Sequence, residues 1–246
     1  MTVVWFLLLT FAISLSGYAC IRAIPAARSP DSAVGLPFWL LMVWGPSLAA
    51  FILSMEAGQL GPLIRRGLIV STVPPFVWAL ICAPLVLLLL MKVMAPAKPK
   101  PLGLAALAGL TLFNLILGPL GEEFGWRGLL QDELALRWGW LLAALVTGGI
   151  WLVWHLPLWT IDSPHAQISL PLFAGHVMVY SIIIGAAHRL SGGSLLPAIL
   201  IHLTVNLAAN LAIYAGYPEP NDWFRKSLLP YLGLAIFAAV WVGSLA

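Results

Sequence analysis

Charge is what this chain has least of. Only 9% of its 246 residues are Asp, Glu, Lys or Arg, too few to clothe a water-soluble domain of this size. The twelve basic residues lie singly or in pairs, without the dense positive surface that phosphate backbones require, so nucleic acid is excluded as a partner. Cysteine is nearly absent as well. Cys20 and Cys82 sit in separate apolar runs without C-x-x-C or zinc-type spacing, which leaves redox chemistry without support. There is no H-E-x-x-H, no internal repeat and no low-complexity tract. What the chain has in abundance is apolar length: 61% hydrophobic residues, twelve Trp and a mean hydropathy of +0.99. This composition reads as an integral, multi-pass membrane protein.

A spanning helix needs about 20 apolar residues to cross about 30 Å of hydrocarbon. Eight segments are predicted on that basis: Val3–Ile24, Leu36–Met55, Pro74–Met94, Leu102 into the Gly118 region, Leu141–Ile161, Leu170–Ala187, Leu195–Tyr214 and Leu228–Leu245. The connections "IPAARSPDS", "MAPAKPKP" and "GYPEPNDWFRK" carry the Pro, Gly and charge that end helices. No basic residue precedes the first segment, and its apolar run is long for a cleavable signal, so it reads as a retained helix. "EAGQLGPLIRRGLIVST", too polar to span, suits a short helix lying in the interface. The flanking charges, five on one side against seven on the other, assign no orientation. The expected fold is all-α: residues 1–246 form one membrane-embedded domain, a polytopic bundle of about eight spanning helices around a polar cavity.

An ionisable group at membrane depth costs several kcal/mol, on the order of 3, unless it faces protein or water. The few such groups therefore mark the site. Glu123 and Arg127 are four apart and share a helix face, where they form a supporting salt bridge. Glu122 is turned about 100° away from Glu123 and addresses something else. His202 and Asn206 share one helix face, and His155 comes from another segment. A carboxylate, two imidazoles and a carboxamide can hold and activate a water and stabilise an oxyanion. One Glu and two His are also ligands zinc accepts, so Glu122, His155 and His202 are the set a metal-dependent version would use. His176 and His188 read as structural hydrogen-bonders between helices. His165 reads as an exposed loop residue, and Asn114 and Asn210 as helix-to-helix glue.

Three motifs occur in order: Glu122-Glu123-Phe124-Gly125-Trp126-Arg127, Trp151-Leu152-Val153-Trp154-His155 and His202-Leu203-Thr204-Val205-Asn206. Together they resemble the CPBP intramembrane protease family, which includes CAAX prenyl endopeptidases and bacterial bacteriocin-processing or immunity proteins. The resemblance covers Leu102 to Ala212, the motif-bearing core, with Trp151 standing where the family usually has Phe. It implies an eight-helix bundle with a conical cavity. Glu122 and His155 would activate water, and His202 and Asn206 would form the oxyanion site. It further implies an intramembrane endopeptidase acting on membrane-associated or prenylated proteins or on leader peptides, in the bilayer of a bacterial cell membrane. The metal-free glutamate mechanism is the expectation, with no cofactor, and zinc is the alternative. A noncatalytic immunity or scaffold protein, or a transporter, are the readings from other classes.

Overall fold

A computed structural model describes residues 2–244 of the chain. Helices make up the fold, and no strand occurs among the described residues. The first is α1 (Thr2–Ala23), apolar throughout. The pair α2 (Leu36–Val43) and α3 (Gly45–Glu56) follows, bent by 61° at Trp44. Pro46, at the second position of α3, has no N–H to continue the helix before it. Next come the short α4 (Leu60–Arg66) and the long α5 (Pro75–Met91).

The core continues from α6 (Leu104–Ile116) through α7 (Pro119–Gly125) and a π-helical turn at Trp126–Gln131 into α8 (Asp132–His155). Gly139 interrupts α8 with φ 74° and ψ 163°, a conformation that glycine adopts without a Cβ clash. The last helices are α9 (Leu170–Leu190), α10 (Leu196–Leu211) and α11 (Pro220–Ser244), each begun by a proline in its first turn.

By length and apolarity five helical stretches qualify as membrane spans, or six when α2 and α3 count as one bent span. The chain is thus an integral, multi-pass membrane protein, and a count by length and apolarity does not confirm the expected number of about eight spans. Two physical reasons account for the difference. The polar stretch expected to separate the fourth and fifth spans is itself helical, so Leu104–Thr160 counts once, although its 57 residues, broken at Gly118 and Gly139, reach about 85 Å, enough for two crossings. The sixteen residues of α10 reach only about 24 Å at 1.5 Å per residue, short of a full crossing. The end of the last expected span, Leu245, lies outside the described residues.

α9 is the central helix. In its most apolar window 61% is buried, whereas the other spans range from 22% to 33%. It packs on α8 and α11, while α10 packs on α5 and α9, α1 packs on α3, and α3 packs on α7. A close approach sets the last of these: Gly125 of α7 lies directly on the backbone of Pro46, where a side chain would not fit. α7 and its π turn are thereby held between α3 and α10, which places Glu122 and Glu123 inside the protein.

Candidate active site

The site begins with local helix geometry. Pro119 starts α7 without needing the hydrogen bond its ring cannot donate, and the next turn brings two carboxylates inward. Glu123 and Arg127 are both fully buried, and Arg127 Nη1 donates to Oε1 and Oε2 of Glu123 at 2.9 and 3.1 Å. The π turn that follows widens the helix at this point, a feature common at functional sites. The guanidinium reaches further: Nη2 donates to Ser181 Oγ on α9 at 3.2 Å, and its carbon lies 4.9 Å from the centre of the Trp151 ring. Ser181 Oγ–H in turn donates a hydrogen bond to the Ala144 carbonyl at 2.7 Å.

Glu123 has a second partner that the sequence did not reveal. His202 Nδ1, from α10, donates to Glu123 Oε1 at 2.6 Å. The opposite ring nitrogen, Nε2, faces Glu122 Oε1 at 4.0 Å. One imidazole thus bridges the two adjacent carboxylates.

Glu122 is held from its other side. Its Oε2 accepts the indole N–H of Trp151 at 2.6 Å and that of Trp126 at 3.3 Å. Both donors occupy one oxygen, and Oε1 is left toward His202. Burial of a carboxylate is tolerated only where such partners replace water.

His155 lies one turn beyond Trp151 on α8, where its Nδ1–H donates to the Trp151 carbonyl at 2.8 Å. A carbonyl can only accept, so Nδ1 carries the proton and Nε2 is the free acceptor. The ring packs edge-on to Trp151 and Trp154, with centroids 5.5 and 4.8 Å away.

Asn206 lies one turn after His202 and is half-buried. Its carboxamide borders the start of α7, such that a Cβ added to Gly118 would come within 3.1 Å of Asn206 Nδ2. Asn114 and Asn210 join α6 to α10 by a 3.0 Å side-chain hydrogen bond.

The three motifs therefore meet in space. Glu122, Glu123, Arg127 and His202 form one connected cluster, and Trp151 links it to His155. Among the described residues no three His, Cys, Asp or Glu side chains form a group that could hold a metal ion. His155 and His202 each hold Nδ1 on a protein partner, and His202 Nε2 lies 4.0 Å from Glu122 Oε1.

The other histidines have partners of their own. His176 bonds Leu172 O and Ser227 Oγ, joining α9 to α11, and His188 bonds Asp132 and Ser194 O. His165 departs from the expected exposed loop position. It is half-buried, 5.7 Å from the His155 ring and 5.4 Å from Phe173. The loop is folded back by Trp159 Nε1 donating to Ile168 O, and by Asn221 bonding Ser169 N and Gln167 O.

Sequence reasoning missed the two indole donors and Ser181. Trp126 was discoverable, since it stands four residues after Glu122. Trp151 stands out in the sequence only as a departure from the usual Phe, and Ser181 carries no local signal.

Residues 104–208 match the family model described as type II CAAX prenyl endopeptidase, Rce1-like. A curated relative, CAAX prenyl protease 2 of Methanococcus maripaludis, is 30% identical over 108 residues, which cover 41% of this chain and 40% of the relative. The match thus spans less than half of either protein, and it falls on the segment that carries the three motifs. In that segment, which carries the converging carboxylates, histidines and paired arginine, the chain is similar to the Rce1-like type II CAAX prenyl endopeptidases.

Proposed function

We propose that this protein is an intramembrane endopeptidase that hydrolyses peptide bonds of membrane-associated or prenylated, CAAX-type, proteins or of leader peptides. The observation that carries the reading is the state of Glu122: a buried carboxylate with Oε2 bound by two indoles and Oε1 facing an imidazole. A purely structural carboxylate here would be matched with a cation, and the available guanidinium belongs to Glu123 instead.

In the proposed reaction a water between Glu122 and His155 gives a proton to Glu122 Oε1 and a hydrogen bond to His155 Nε2. Its oxygen attacks the scissile carbonyl carbon, and the C=O π pair moves onto the carbonyl oxygen. Asn206 Nδ2 and His202, as an imidazolium with Nδ1–H held by Glu123, donate to that oxyanion. Preorganised donors of this kind stabilise charge most effectively where water is excluded. Collapse re-forms C=O and breaks C–N, and the proton on Glu122 passes to the leaving amine. One water is consumed, and an acid and an amine are released.

Every step uses this chain's own residues, and the metal-free form is the one proposed. The test is cleavage of a panel of membrane-anchored and prenylated peptides by the purified protein in detergent, beside Glu122→Ala and a chelator arm. Cleavage lost in Glu122→Ala and kept with chelator supports the proposal. Loss with chelator as well supports zinc, and equal cleavage by the variant refutes the role of Glu122.

A further inference from the structure

Trp151 touches Glu122, His155, Arg127 and His202, through different parts of itself. Its indole N–H bonds Glu122 Oε2 at 2.6 Å, its carbonyl holds His155 Nδ1 at 2.8 Å, and its ring lies 4.9 Å from the Arg127 guanidinium carbon. The His202 ring stands edge-on at 5.1 Å. Trp151 itself is 3% exposed, so its N–H has no access to water and must find its partner within the protein.

We infer that Trp151 is a positioning residue for the water-activating carboxylate: its N–H fixes the rotamer of Glu122 and so selects Oε1 as the oxygen presented to the reacting water. The inference rests on the function proposed above. A carboxylate free to rotate would offer either oxygen in several directions. With Oε2 held by two donors, one orientation remains, and it faces His202. The shorter bond is the one from Trp151, whereas Trp126 at 3.3 Å is the weaker donor. The peptide carbonyl of the same residue fixes the His155 tautomer, which leaves Nε2 as acceptor. Trp151 thereby couples the orientation of both groups proposed to handle the water.

Phenylalanine at 151 retains an aromatic ring and the backbone bond to His155, and removes only the N–H and the second ring. Trp151→Phe is expected to lower kcat by about 10- to 100-fold with KM within about twofold, because orientation is lost and substrate contacts are not. Trp126→Phe is expected to have a smaller effect on kcat in the same direction.

A double-mutant cycle on thermal stability supplies the readout that packing alone does not move. Trp151→Phe is expected to lower Tm by about 3 to 12 °C more in the wild-type background than in Glu122→Ala, where no acceptor remains. Equal Tm shifts in both backgrounds, or Trp151→Phe turning over at the wild-type kcat, overturn the inference. Glu122→Ala cleaving at the wild-type rate overturns the proposed function and this role with it. An uncoupled cycle beside an inactive Glu122→Ala overturns the role of Trp151 alone.

Discussion

Replacing Arg127 with methionine is the perturbation whose cost follows most directly from the structure. Both members of the Glu123–Arg127 pair are fully buried, so removing the cation leaves a carboxylate in low dielectric with only His202 Nδ1 to compensate it. Arg127→Met also deletes the bond to Ser181 and the contact with the Trp151 face. Breaking a buried pair from one side costs about 3 to 5 kcal/mol. For a chain of this length that corresponds to a Tm lowered by about 6 to 20 °C. Thermal unfolding of the purified protein in detergent, followed by intrinsic Trp fluorescence, measures it. The control is the double variant Glu123→Gln/Arg127→Met, which removes both charges. It is expected to recover much of the loss, since the penalty belongs to the stranded carboxylate. A single variant within about 1 °C of wild type, or a double variant as low as the summed singles, would refute the argument that uncompensated charge dominates.

Other outcomes follow from single features. Gly125→Ala drives a Cβ onto the Pro46 backbone, and is expected to separate α3 from α7 and lower both folded yield and Tm. Wild-type expression and Tm would refute that close approach. Gly118→Ala places a Cβ 3.1 Å from Asn206 Nδ2 and 2.7 Å from Asn114 O. It is expected to reduce kcat about 10-fold by displacing the carboxamide, and an unchanged kcat would remove Asn206 from the mechanism.

Burial pushes the His165 imidazole down to about 4 from its ordinary 6.5. The folded state therefore favours the neutral ring. Its contribution to stability is complete above pH 6.5 and is lost as pH falls toward 4. Tm measured against pH is expected to fall less steeply over that window in His165→Asn than in wild type, and parallel curves would count against it.

What the sequence made legible was local. Long apolar runs announced α1, α9 and α11, and the four-residue spacing of Glu123 and Arg127 anticipated a pair that the helix does form. Spacing along one helix says nothing about what arrives from another. Glu122 and Trp151 are 29 residues apart, and Glu123 and His202 are 79 apart, so neither contact has a periodic signature. The continuity from α6 to α8 was hidden for a related reason. Polar residues between apolar runs ordinarily mark a loop, but here they are satisfied by one another and stay helical. His165 was misread because only tertiary bonds from Trp159 and Asn221 fold its loop inward.

The central claim is that Glu122 carries the proton of the attacking water, and Glu122→Gln tests it most directly. The amide preserves volume and keeps an acceptor for the indole N–H of Trp151, while losing the basicity that water activation needs. With any peptide the wild-type protein cleaves, Glu122→Gln of unchanged Tm is expected to lose at least about 100-fold in kcat. A folded Glu122→Gln that turns over at the wild-type rate would contradict the account.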